Sequence, residues 1–241
     1  MFMKDLKRIS KLSGIAYLII FITGIYANFV VLEHLVALDN PSLTVMNLLT
    51  QKSAFELAIF GFAIMLIFDL VLVWGLYKLF RPVSRHFAFM AAALRFINVL
   101  VFGLALYHLI AVFHIVTSID SITVHNQFLE TKVIDLLNDF NNIWLIGLLF
   151  FAFHLALLAY LVWRSGAVPK WLGVLLMIAA LGYVADSFAQ LFLLNYPDYE
   201  SLFALAVIVP GVIGELTLTF WLLFRSNKFA ELPYLSNLNR A

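Results

Sequence analysis

The sequence contains no cysteine, which excludes disulfides, thiolate zinc sites, iron–sulfur clusters and thiol redox chemistry in one step. Any metal or haem would have to rest on His, Asp, Glu or Met. Charge is also scarce. Charged residues make up 12% of the chain, about half the share usual in a soluble domain. The net charge of +1 gives no reason to expect nucleic acid as a partner. Chemical motifs are lacking as well: there is no nucleophile motif, glycine-rich phosphate loop or paired-histidine zinc helix.

What the chain has is apolar surface. Hydrophobic residues reach 64% of its 241 residues, against about 45–50% in ordinary soluble proteins. That excess cannot be hidden in one globular core, so it requires lipid as solvent. The expected fold class is all-α: a polytopic membrane helix bundle, with residues 1–241 forming a single six-helix transmembrane domain.

Spanning a bilayer takes roughly 20 mostly apolar residues. Six stretches qualify: 12–33, 53–80, 87–116, 140–163, 170–194 and 202–224. The basic N-terminus through Lys11 precedes an apolar run from Gly14 to Leu32. This run is too long for a signal-peptide core and has no small-residue cleavage site, so it reads as a retained first span.

Lys4, Lys7, Arg8, Lys11, Lys78, Arg81, Arg85, Arg164, Lys170, Arg225, Lys228 and Arg240 fall on one side of these spans. Only Lys52 and Lys132 fall on the other, and Arg95 lies within a span. The positive-inside bias therefore predicts a cell-membrane protein with both termini cytoplasmic. The opposite loops carry Glu33, Asp39, Asp120, Glu130, Asp135, Asp198 and Glu200. Trp74, Trp163, Trp171 and Trp221 lie near the inner boundary, where amphipathic rings are favoured. Tight inner turns and longer outer ones predict three hairpins. The first outer loop holds Asp39-Asn40-Pro41-Ser42, a turn predicted to start a short helix through Leu49 with Ser42 as its cap.

Spans two, four and six share a pattern. Asp69, His154 and Glu215 are each followed by a leucine-rich stretch and then by Arg81, Arg164 and Arg225. Either this is a threefold hairpin repeat, or it is coincidence in leucine-rich helices. With Arg95 on span three, four ionisable side chains from four helices fall in one layer, roughly 12–14 Å from the inner surface for Asp69 and Arg95.

A charge at bilayer depth costs at least ~2.5–3.5 kcal/mol unless paired or wet. Two readings of the layer follow. One is a functional centre: a proton relay, a solute site or a catalytic group. The other is an Asp69–Arg95 ion pair to which His154 and Glu215 tie two more helices by hydrogen bonds. Pro210 and Gly211 precede Glu215 and are predicted to break span six, freeing backbone carbonyls at that depth.

A second polar group falls in the outer third of the spans: Glu56, His108, Asn141, Asn142, and Asp186 with Gln190, four apart on one helix face. It suits either an oxygen-and-imidazole metal site or, more simply, wet helix ends. Haem fits poorly, because His154 is inner while His108 and His114 are outer and on one helix. No cofactor or metal is expected. Most glycines read as close-packing points between helices.

The strings Asp69-Leu-Val-Leu-Val-Trp74-Gly-Leu-Tyr77, Leu94-Arg95-Phe96, Phe153-His154-Leu155, Ser165-Gly-Ala-Val-Pro169-Lys-Trp171-Leu-Gly173, Gly182-Tyr183-Val-Ala-Asp186-Ser187 and Gly214-Glu215-Leu216 together resemble a bacterial integral-membrane family, domain of unknown function 4386. The resemblance covers nearly the whole chain. It implies a polytopic membrane protein with Asp69, Arg95, His154, Asp186 and Glu215 as polar positions, and supplies no reaction. The family pattern has glycine where this chain has Ala152 and Ala159.

Three function classes remain: a small proton-coupled carrier or channel-like protein, a non-catalytic scaffold or accessory subunit, and an intramembrane enzyme using His154 or the Asp186 group. The partners expected are the lipid bilayer and, for a carrier, a small solute.

Overall fold

The computed structural model describes residues 2–118 and 127–229, with backbone alone for residues 2–4. Asp120 and Arg240, both used in the orientation argument, lie outside the described residues. Every described element is helical. Helix α1 (Phe2–Ile25) runs through a π-helical stretch, Tyr26–Leu32, into the short α2 (Glu33–Leu35). Then come α3 (Pro41–Thr50), α4 (Lys52–Phe80), α5 (Arg85–Ser118), α6 (Gln127–Ser165), α7 (Lys170–Phe192) and α8 (Glu200–Phe224).

Six helices are long and apolar enough to cross a membrane. In each, the most apolar stretch is half buried or less, from 28% to 50%. Side chains such as Ile22, Phe89, Leu100, Leu181 and Phe220 therefore point outward. Apolar residues turned away from the protein on this scale need a lipid environment, and the chain is a multi-pass membrane protein.

Element ends differ from expectation in two places. The fourth spanning helix is already formed at Gln127 rather than beginning near 140. The short loop helix α3 is capped by Asn40, not Ser42: Asn40 Oδ1 accepts the Leu43 N–H at 3.1 Å, with Pro41 in the first turn. Proline there loses an N–H that has no helical partner anyway. Ser42 Oγ instead donates to Glu130 Oε2 at 2.9 Å.

Span six does not break. Helix α8 is continuous through Pro210. The proline lacks only the single N–H that would reach back four residues to Ala206 O, and the surrounding turns hold the helix together.

The chain divides into two compact units. The first comprises residues up to Leu18, Phe68–Val99, and those from Ile146 onward. In it, Ser10 Oγ donates to Leu222 O at 2.8 Å and joins α1 to α8. Trp221 Nε1 donates to Ala167 O at 2.9 Å. Between α6 and α7 the chain turns at Gly166, whose φ of 68° is open only to residues without a Cβ clash. Ser165 Oγ accepts the Ala167 N–H there at 3.2 Å. Helices α7 and α8 pack at short range: a Cβ on Gly182 would lie 2.6 Å from Ala206 O.

The second unit comprises Ile19–Ile67 and Leu100–Leu145. Its core is aromatic. The Trp144 ring stacks on Phe102 at 3.7 Å and meets Phe62 edge-on at 5.2 Å. Among the described residues, Lys52 and Lys132 are the only lysines or arginines in this unit.

Candidate functional site: a buried arginine centre

Arg95 lies a little under three turns into α5 and is only 2% exposed. A guanidinium cannot shed its charge in a protein, so an interior placement obliges the neighbouring helices to supply acceptors. Helix α4 supplies Asp69, 4% exposed. Arg95 Nε donates to Asp69 Oδ1 at 3.0 Å, and Nη2 donates to the same oxygen. Helix α6 supplies His154, 1% exposed, whose Nε2 is 3.1 Å from Arg95 Nη1. Helix α1 supplies Tyr17, whose hydroxyl accepts from Nη1 at 3.5 Å. The Tyr17 and Phe151 rings lie 5.2 and 5.6 Å from the guanidinium carbon, within cation–π range.

The tautomer of His154 follows from its partners. Arg95 can only donate, so Nε2 must carry a lone pair. Nδ1 then carries the proton, which it gives to Ala91 O at 2.8 Å. Both ring nitrogens are occupied by protein partners, and neither is open to an axial haem position or a metal.

Glu215 shares this unit and is 8% exposed, but its carboxyl makes no hydrogen bond or ion pair among the described residues. The hydrogen bond expected from it is not made. Arg95, Asp69, Tyr17 and Tyr183 lie within electrostatic range of it. Of the four residues placed in one layer by counting, the structure thus joins three directly and leaves the fourth within electrostatic reach.

A cavity of about 10 Å³ adjoins His154, lined also by Leu72, Tyr77, Ala88, Ala91 and Leu158. That is the room of a single water.

The outer group separates by unit. Asp186 and Gln190 do share a face: Gln190 Nε2 donates to Asp186 Oδ2 at 3.0 Å. Tyr196, from the turn before α8, donates its hydroxyl to Asp186 Oδ1 at 2.7 Å. Burial and the Asp186 carboxylate push the Tyr196 phenol up from its ordinary range, so it stays a donor. In the second unit Glu56, Asn141 and Asn142 are exposed. His108 Nδ1 faces Leu104 O at 3.0 Å, and its Nε2 is 4.0 Å from Asp139. Among the described residues no three of His, Asp and Glu gather as metal ligands.

Sequence reading missed Tyr17, Asn98, Ser187 and Tyr196. Asn98 was the findable one: it follows Arg95 by three residues, shares its helix face, and donates to Gly147 O at 3.1 Å. Tyr17 gave no signal, being one more aromatic in an apolar run. Ser187 and Ser13 have buried hydroxyls without a hydrogen-bond partner among the described residues.

Comparison with known proteins assigns no activity. An uncharacterized protein of Archaeoglobus fulgidus is 31% identical over 174 residues, covering 72% of this chain and 86% of that one. No solved structure matches the chain. The family described as a domain of unknown function, DUF4386, matches residues 12–226, a span holding the whole arginine centre, the Asp186 group and Glu215; the chain belongs to that family.

Proposed function

We infer that this protein acts as a non-catalytic membrane scaffold or accessory subunit, with the Arg95 centre as the lock that fixes its inner helices. The observation carrying this reading is the engagement of every guanidinium nitrogen. All three nitrogens of Arg95 are spent on Asp69, His154 and Tyr17, three different helices. The adjoining cavity takes one water, whereas solute sites usually offer several hundred Å³. Lipid is the surrounding partner, and the Lys and Arg bias supports an orientation with both termini cytoplasmic. The test is Arg95→Lys. Lysine keeps the charge but is a point donor without the planar fork, so the variant should melt well below wild type in detergent. An unchanged melting temperature would refute the lock.

A second reading is proton-coupled transport. It is favoured by Glu215, a buried carboxyl outside the Arg95 network. Asp69 and Arg95 cancel and His154 is neutral, so an ionised Glu215 would leave one net negative charge in the interior. A group in that position is suited to taking up and releasing a proton. Glu215→Gln should then abolish any pH-driven flux in proteoliposomes while leaving the melting temperature near wild type. Full flux in that variant would dismiss this reading.

A further inference from the structure

We propose that the seam between α7 and α8 admits protons to Glu215 from the end of α7 that carries Asp186. The proposal rests on the proton-exchange reading of Glu215 and adds the route and its residues.

Tyr183, Asp186, Ser187 and Gln190 are spaced i, i+3, i+4 and i+7, which places them on one face of α7. At Tyr183 that face borders α8. Gly182 abuts the Ala206 carbonyl, and a Cβ on Gly211 would lie 3.3 Å from the Tyr183 hydroxyl. Helical side chains lean towards their own N-terminus. The Tyr183 phenol accordingly reaches down to Gly211, one turn before Glu215 on the same helix.

Three polar groups on these two helices lack an ordinary partner. The Ser187 hydroxyl is fully buried and makes no hydrogen bond among the described residues. Ala206 O faces a proline, Pro210, four residues on, which has no N–H to give it. The Glu215 carboxyl makes no hydrogen bond or ion pair among the described residues. A protein interior rarely leaves a group such as the Ser187 hydroxyl unmet. Water or hydronium passing along the row would meet each in turn. At the far end the row reaches an already polar mouth, where Tyr196 and Gln190 both donate to Asp186.

The step is a plain proton transfer. An O–H bond of hydronium at the Asp186 end breaks, an O–H bond forms on the Glu215 carboxylate, and water is left behind. Release reverses it, and no electrons change hands. The titratable groups within electrostatic range of Glu215 are Tyr17 on α1, Asp69 on α4, Arg95 on α5 and Tyr183 on α7. His154 on α6 faces Arg95 and is committed to its own two bonds.

The test uses the full chain in lipid vesicles and follows the infrared carbonyl band of a protonated carboxyl after a rapid pH step. The band should vanish in Glu215→Gln; its persistence there would overturn the Glu215 reading and the route together. Ser187→Ala and Tyr183→Phe test the route alone. The Ser187 hydroxyl holds no protein partner, so Ser187→Ala should keep the wild-type melting temperature. Both variants should reach the same final band amplitude, but about tenfold more slowly, the effect of one hydrogen-bonded step lost. Wild-type rates in both would overturn the seam as the route while leaving Glu215 as the proton site.

Discussion

A guanidinium offers five N–H groups in a fixed plane, and at Arg95 that plane decides which neighbours can exist. Asp69 neutralises the charge, His154 accepts from Nη1, and the Tyr17 and Phe151 rings lie within cation–π range. His154 matters here as an acceptor, which requires the neutral ring with its proton on Nδ1. Nitrogen NMR of the labelled protein should show that tautomer, held unchanged from pH 5 to 8; a titrating ring would show that Arg95 does not occupy Nε2. Replacing His154 with Ala leaves an arginine donor unmet, worth about 1–3 kcal/mol, while the Ala91 carbonyl keeps its helical partner. The loss should appear as a lowered melting temperature in detergent.

At the scale of elements, close contact between helices depends on a few positions without side chains. Gly182 lets α7 lie on the Ala206 carbonyl of α8. Gly182→Val would force the helices apart, costing about 1–3 kcal/mol by overpacking, measurable by thermal melting. A silent Gly182→Val would mean the two helices are not held that tightly. The turn before α8 depends on a different contact, the Tyr196 hydroxyl on Asp186. Because the phenol is held above its ordinary value of 10.0, the folded state keeps the proton that the unfolded chain loses. The stability this contributes is complete below about pH 10 and declines only as pH rises beyond that. Protease cleavage within 193–199 should therefore be flat with pH through the neutral range in wild type, and faster in Tyr196→Phe. Cleavage that varied across neutral pH would contradict that assignment.

On the scale of the whole molecule, the six spans and the arginine centre were legible for a simple reason. Lipid allows few polar residues, so the exceptions mark themselves, and helix rise converts their spacing to depth. Asp69, Arg95 and His154 were found that way. Depth is not direction, however. Counting put Glu215 in the same layer but could not show that its carboxyl makes no bond. Nor could it separate the outer residues, since Glu56 and His108 lie in one compact unit and Asp186 and Gln190 in the other. Tyr17 was invisible because only its terminal oxygen is polar. The break expected at Pro210 failed because one missing N–H is too little to part a helix held on both sides. Orientation is open to direct test, since the chain has no cysteine. Single cysteines at Ser84 and Leu194 should label with an impermeant thiol reagent from opposite sides of intact cells, Leu194 from outside and Ser84 only after lysis. Labelling of Ser84 from outside would reverse the positive-inside assignment.

The lock itself is tested most directly by a thermodynamic cycle on Arg95→Ala, Asp69→Ala and the double variant, unfolded in the same detergent. Removing either partner strands the other in the interior at about 3–5 kcal/mol, so each single variant should be strongly destabilised. The double variant should be no worse than the worse single one, because the stranded charge is gone. Losses that simply add would show that the two side chains act apart, and the account of Arg95 as the centre of the fold would be wrong.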